Sequence, residues 1–155
     1  MKLYNNLYPE LINVNCTESS TEELLSGLVR GLKSKNRISD EKFVYNKLIE
    51  REKLGSTSIG NHSAVPHTKL KEIKKPVIAI GVSKKGLIYH ETDDQLVHLI
   101  ILILSPNNSP VIHLQILAAA ASLIKKSKDL IPEILTVETA TDLMDIINKY
   151  ENLDD

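Results

Sequence analysis

The sequence predicts an α/β fold in which helices cover a mostly buried sheet. Apolar residues recur at helical spacing in four separate stretches, and short β-branched runs lie between them. The run VHLIILIL at residues 97–104 shows almost no polar alternation, as a central strand buried on both faces requires. Strands and helices interleave without an internal repeat.

With 155 residues, 42% hydrophobic and 25% charged, the chain can bury one sizeable core and is too small for two. Residues 1–155 are therefore expected to form a single domain. Lysine plus arginine number 19 against 20 acids, so charge gives no case for nucleic acid or an anionic membrane as a partner. The start MKLYNNLYPE lacks the apolar core and cleavage site of a secretory signal, and the one cysteine, Cys16, has no partner for an internal disulfide. These features fit a cytoplasmic protein. The apolar run at 97–104 is far short of the roughly 20 residues a membrane-spanning helix needs, so no membrane insertion is expected.

Residues 10–14 (ELINV) are short, apolar and partly β-branched, a first candidate strand. Ser20 with Glu23 has the pattern of a capping box, the hydroxyl accepting from the Glu23 amide and the carboxylate reaching back. Leu24, Leu25, Leu28, Val29 and Leu32 then make one apolar stripe. Ser39 or Asp40 can cap a second helix with Phe43, Val44, Leu48 and Ile49 inward, ending near Gly55 and carrying Arg51 in its last turn. GNHSAVPHTK at 60–69 is too broken for a helix and reads as a glycine-led loop. The basic segment at 69–75 reads as a solvated connection.

PVIAIGV at 76–82 reads as a strand, SKKG at 83–86 as a turn with Gly86 at positive φ, and LIY at 87–89 as the return strand. SPNNSP at 105–110 reads as a loop that hands the chain to an alanine-rich helix from near Val111. Ser109 is its candidate cap, Pro110 suits its first position, and Lys125 and Lys126 fall at its carboxyl end. Thr139 and Asp142 can cap a last helix with Leu143, Ile146, Ile147 and Tyr150 inward.

The five histidines are His62, His67, His90, His98 and His113. His67 follows Pro66, whose fixed φ removes local freedom, in the kind of connecting segment where reactive groups commonly sit. His113 lies in the first turn of the helix after SPNNSP, where unpaired amides and the positive dipole end favour an anion. A neutral imidazole with a free ring nitrogen attacks phosphorus, and a donor beside it steadies the phosphoryl oxygens. Two histidines and an arginine suit that chemistry. A zinc site from His62, His67, His113 and a carboxylate is the alternative, without an HExxH or CxxC to support it. No serine-hydrolase elbow, Walker loop or dinucleotide loop occurs, and no cofactor is implied.

Several motifs in order carry a resemblance: Arg51-Glu52, Ser56-Thr57-Ser58-Ile59-Gly60, Ala64-Val65-Pro66-His67, Asp93, the apolar strand at 97–104, and His113-Leu114. In these the sequence resembles enzyme IIA of the fructose and mannitol class of the bacterial phosphoenolpyruvate-dependent sugar phosphotransferase system, including its nitrogen-related regulatory relatives. The similarity runs over nearly the whole chain. It implies a mixed sheet sandwiched between helices, the IIA type-2 fold. It also implies a phosphocarrier in which His67 accepts a phosphoryl group from the histidine-containing phosphocarrier protein and passes it to a cysteine of enzyme IIB. Arg51 and His113 match the residues that line that site and stabilise the phosphoryl group. No metal is required.

Where many members carry glycine and an aliphatic residue, this chain has His62-Ser63. Ser63 is a candidate further phosphoryl ligand, and His62 reads as an exposed bystander. Asp93-Asp94 stands where the family has an Asp-Gly pair. Beyond Tyr150 the sequence closes in ENLDD, which is expected to leave no room for an enzyme IIB cysteine loop, so the acceptor is expected to be a separate protein. Two further readings stand beside sugar uptake: a regulatory protein whose phosphorylation state controls binding to target proteins, and a zinc-dependent hydrolase. Family members associate with themselves, but no surface in the sequence marks a homo-oligomer.

Overall fold

A computed structural model describes residues 1–153; Asp154 and Asp155 of the acidic tail lie outside the described residues. In chain order its strands and α-helices are β1 (Ile12–Asn13), α1 (Thr21–Ser34), α2 (Glu41–Lys53), β2 (Ser58–Gly60), β3 (Ser63–Ala64), β4 (His67–Leu70), β5 (Val77–Leu87), β6 (Val97–Pro106), α3 (Pro110–Ile124), α4 (Leu130–Ile134) and α5 (Ala140–Glu151). Short 3-10 turns at Leu3–Asn6 and Pro9–Leu11 precede β1.

The spine is β6. It pairs antiparallel with β5 on one edge and parallel with β3 and then β4 on the other. Adding β1 beside β5 and β2 beside β3 gives a six-stranded mixed sheet in the order β1-β5-β6-β3-β2. The residues of β6 point alternately to two cores. Leu99, Ile101 and Ile103 meet Ile116 and Ala120 of α3 and Leu143 and Ile147 of α5. Ile100, Leu102 and Leu104 meet Leu24, Leu25 and Val29 of α1 and Val44 and Leu48 of α2. All six are completely buried, at roughly 1.5–3 kcal/mol of transfer free energy each. The expected sandwich of helices about a mixed sheet is the fold observed.

The local capping signals were largely realised. Ser20 Oγ accepts from Glu23 N and Asp40 from Phe43 N, although the Glu23 carboxylate does not return the bond that would complete a box. Thr139 and Asp142 form a full capping box at α5.

Elsewhere the chain departs from expectation, each time for a tertiary reason. Residues 77–87 form one strand rather than a hairpin, because Ser83–Gly86 makes an irregularity inside β5 while the chain stays on β6. Ser83 is fully buried and its hydroxyl accepts from Gly86 N; Gly86 does take a positive φ of 78°, in the service of a bulge. The first strand shrinks to two residues behind a 3-10 turn that Pro9 begins. Ser105 and Pro106 belong to β6, and Ser109 occupies the cap position of α3 without making a side-chain cap bond. Phe43 is 53% exposed; it lies one residue off the Val44–Leu48 stripe, with Lys47 Nζ over its ring. The segment at 60–69 contains parts of β2, β3 and β4, and Lys69 and Leu70 are strand residues. The five-residue α4 was not foreseen, since it contains Pro132; a proline in a first turn costs no helical hydrogen bond.

Candidate functional site

The site is built by register. His67 opens β4 opposite Ile103 of β6, and in a parallel pair such partners share a face. Ile103 faces the α3 side, so the His67 ring is delivered to the start of α3, where His113 projects. Pro66 fixes the approach: its carbonyl accepts from Ile103 N at 2.9 Å. The two imidazoles lie with centroids 5.7 Å apart and planes tilted by 54°. Both are half-buried, and the exposed Val111 and Leu114 flank His113.

His67 Nδ1–H donates to Val65 O at 2.6 Å. This bond fixes the tautomer and leaves Nε2 as the nitrogen with a lone pair. Burial holds the His67 pKa below its ordinary 6.5, opposed by the Val65 carbonyl, with Arg51 adding to the lowering and Glu52 opposing it. His113 is also held below 6.5, by burial first and then by His67 and Lys69. Both rings are therefore neutral near pH 7. His113 Nδ1 is buried without a hydrogen-bond partner among the described residues, and a buried nitrogen without a partner is less costly as a bare acceptor than as an N–H. That favours the tautomer with the proton on Nε2.

Arg51 comes from the last turn of α2, which packs against β4. Its Nη1 donates to Gly55 O at 2.9 Å, holding the guanidinium near enough to His67 to act on its titration. The neighbouring Glu52 is fixed more firmly. One carboxylate oxygen accepts from Thr57 N at 3.2 Å, and the other from Thr57 Oγ1 and from Tyr89 OH, the latter at 2.7 Å. Burial and the Glu52 charge push the Tyr89 phenol far above its ordinary value. Glu52 thereby ties the end of α2 to the segment after it and to the connection between β5 and β6. Sequence reasoning quoted Glu52 and Thr57 only as parts of motifs and missed Tyr89, for which no local signal exists.

The structure thus gathers His67, His113 and Arg51 and leaves Ser63 elsewhere. Ser63 pairs with Leu99 while His67 pairs with Ile103, four residues along β6, or roughly 13 Å. Its hydroxyl is buried and donates to Asn61 O. His62 stands against His98, with centroids 5.7 Å apart, and not against His67. Among the described residues no three His, Cys, Asp or Glu side chains gather as a metal would need, so the set His62, His67, His113 and a carboxylate is not assembled. Cys16 is buried beside Gly81, and burial followed by Glu18 pushes its thiol up to about 11, which suits a packing role. Among the described residues no helix is long and apolar enough to cross a membrane.

Residues 5–150 match the family described as "Phosphoenolpyruvate-dependent sugar phosphotransferase system, EIIA 2". The chain is 28% identical over 151 residues to a fructose-specific EIIABC component of Bacillus subtilis, covering 97% of this chain but only 24% of that protein. It is 26% identical over 152 residues to a nitrogen regulatory protein of Pseudomonas aeruginosa, covering 98% of each. Its fold is similar to the crystal structure of the nitrogen regulatory protein IIA-Ntr from Neisseria meningitidis, with a TM-score of 0.82, 26% identity and coverage of 94% and 98% of the two chains. Nothing in these likenesses or in the fold supports a zinc hydrolase. With its mixed sheet, its motifs in order and a match over nearly its full length, this chain belongs to the EIIA type-2 family of the phosphoenolpyruvate-dependent sugar phosphotransferase system.

Proposed function

We propose that the protein is a phosphocarrier in which His67 Nε2 accepts a phosphoryl group from the histidine-containing phosphocarrier protein and passes it to a cysteine of a separate enzyme IIB. The observation that carries this reading is the bond from His67 Nδ1 to Val65 O, which leaves a neutral, half-buried Nε2 facing His113. On acceptance, the lone pair of Nε2 forms a new N–P bond as the donor's N–P bond breaks and its electron pair returns to the donor imidazole. On release the N–P bond breaks to His67 as the acceptor thiolate forms S–P. The transition state is loose, so the protein acts by placing groups and meeting charge. Arg51 supplies a guanidinium fork to the phosphoryl oxygens, and His113 supplies an Nε2–H donor at the positive end of α3.

A regulatory reading shares this site. The nitrogen regulatory relatives match this chain over almost their whole length, so phosphorylation of His67 would switch a docking face by adding negative charge beside the exposed Val111 and Leu114. Incubation with phosphoenolpyruvate, enzyme I and the phosphocarrier protein tests the shared step. The expected product carries an acid-labile phosphoryl group that is lost in His67→Ala; phosphorylation that survives this change overturns the reading. Onward transfer to enzyme IIB, against phosphorylation-dependent capture of a target protein, separates transport from regulation.

A further inference from the structure

A second cavity lies at the other end of α3. It measures about 670 Å³ and is lined by Asn61, His62, Gln95 and His98 on the sheet side and by the end of α3, the α3–α4 connection and α4 on the other. Ile124 in its wall is eleven residues from His113, roughly 16 Å along the helix, so the cavity is separate from the phosphoryl site.

The chain bends sharply to place His62 there. Asn61 and His62 both adopt left-handed backbone, with φ of 49° and 55°, as the central residues of the turn between β2 and β3. The second of these positions favours glycine in such a turn. Asn61 uses its position: its Nδ2 donates to Ile124 O at 2.7 Å. His62 is pinned too, with Nδ1–H donating to Leu96 O at 2.9 Å, and His98 is pinned in the same way to Ser83 O at 2.8 Å. Two imidazoles anchored through Nδ1 keep Nε2 unengaged, with their centroids 5.7 Å apart.

Charge and polarity then select the ligand. The ionisable side chains lining the cavity are His62, His98, Lys125 and Lys128, with no carboxylate among them. Ile124, Ile131, Pro132 and Leu135 supply an apolar floor. The negative end of α3 is nearby, but Asn61 covers the Ile124 and Ser127 carbonyls. Asp93 and Asp94 line a different, smaller pocket with His62, and the Asp93 carboxylate is taken by Ser58 Oγ and His90 N. We propose that this cavity binds a small organic anion, its apolar body on the Ile124–Leu135 floor and its carboxylate or phosphate against Lys125 and Lys128, with His62 and His98 donating from Nε2 in the doubly protonated ring, since a neutral ring pinned through Nδ1–H can only accept there. Lysines without a carboxylate disfavour a metal cation in the same place.

The site does not depend on the phosphoryl-transfer reading, and its test is separate. Phenyl phosphate, benzoate, inorganic phosphate and benzyl alcohol are titrated into the isotope-labelled full chain while the His62 and His98 ring protons and the Lys125 and Lys128 amides are followed by NMR. Saturable shifts at these groups are expected with phenyl phosphate or benzoate, and whichever binds tighter identifies the head group. Inorganic phosphate, lacking the apolar body, and benzyl alcohol, lacking the charge, should each bind about tenfold weaker or less. Replacing both lysines (Lys125→Gln with Lys128→Gln) should weaken phenyl phosphate by about tenfold. His62→Gly should weaken it also while holding or raising Tm, because glycine accepts the left-handed turn. Shifts confined to His67 and His113, an equal response to benzyl alcohol, or full affinity in His62→Gly would overturn the proposal.

Discussion

His113 stands over His67 with ring centroids 5.7 Å apart, although one residue opens a four-residue strand and the other sits on a helix beyond the next two long strands. The β4–β6 register places the first ring, and the exit of β6 into α3 places the second. Both positions thus hang on the same largely buried spine. That is why a site with few direct contacts between its members is nevertheless fixed.

The pair makes unequal contributions to the proposed transfer. His113→Ala removes a donor to the phosphoryl oxygens and not the nucleophile, so phosphate should still be accepted while onward transfer slows by roughly 10²-fold or more. Rapid-quench transfer from the phosphorylated variant measures this; an unchanged rate would make His113 structural.

Arg51→Lys keeps a positive charge but loses the planar fork. Transfer should fall by about tenfold, and further in Arg51→Ala, because a point charge cannot bind two phosphoryl oxygens in a fixed geometry. Steady-state transfer with both variants checks the order; a lysine variant as fast as the natural protein would limit Arg51 to charge alone.

The pH dependence follows from the two lowered histidine pKa values. Well above pH 6.5 both rings are neutral in the folded and unfolded chains and contribute nothing to a pH slope. As pH falls through 6.5 the unfolded chain takes up protons that the folded chain refuses, so stability declines until the lower folded values are passed. The nucleophile stays available over the same interval, and the acid limb of phosphoryl acceptance should lie below pH 6.5. NMR titration of both ring protons, with acceptance rates across the same range, checks this; a midpoint above 6.5 for His67 would contradict it.

Tyr89→Phe leaves Glu52 one hydrogen bond short, with Thr57 still in place. A bond to a charged group of this kind is worth about 1.5–3 kcal/mol, and denaturant unfolding should register that loss. Transfer should slow as well, since Glu52 neighbours Arg51 at the end of α2. Full stability in the variant would show that solvent replaces the phenol.

Much of this was legible because it is local. The stripe from Leu24 to Leu32, the caps at Ser20, Asp40 and Thr139, and the apolar run at 97–104 each report their element without tertiary help. The strands beside the site did not, because β2, β3 and β4 have two to four residues each and exist only by pairing with one another and with β6. The bulge in β5 imitated a turn for a related reason: Gly86 has the backbone freedom of either, and only the pairing of Leu87 with Val97 decides. Motif order named His67, His113 and Arg51 as one set, and the fold places His113 and Arg51 near His67. The Glu52–Thr57–Tyr89 cluster joins positions that no spacing rule connects. Ser63 was misplaced because nearness in sequence is not nearness along a strand.

The account turns on which nitrogen carries the phosphoryl group. In the phosphorylated, nitrogen-15-labelled protein, long-range proton–nitrogen NMR separates the two ring nitrogens of each histidine. The account predicts the phosphoryl group on Nε2 of His67, with Nδ1 still facing Val65 O. Phosphate on Nδ1 of His67, or on His113, would contradict it.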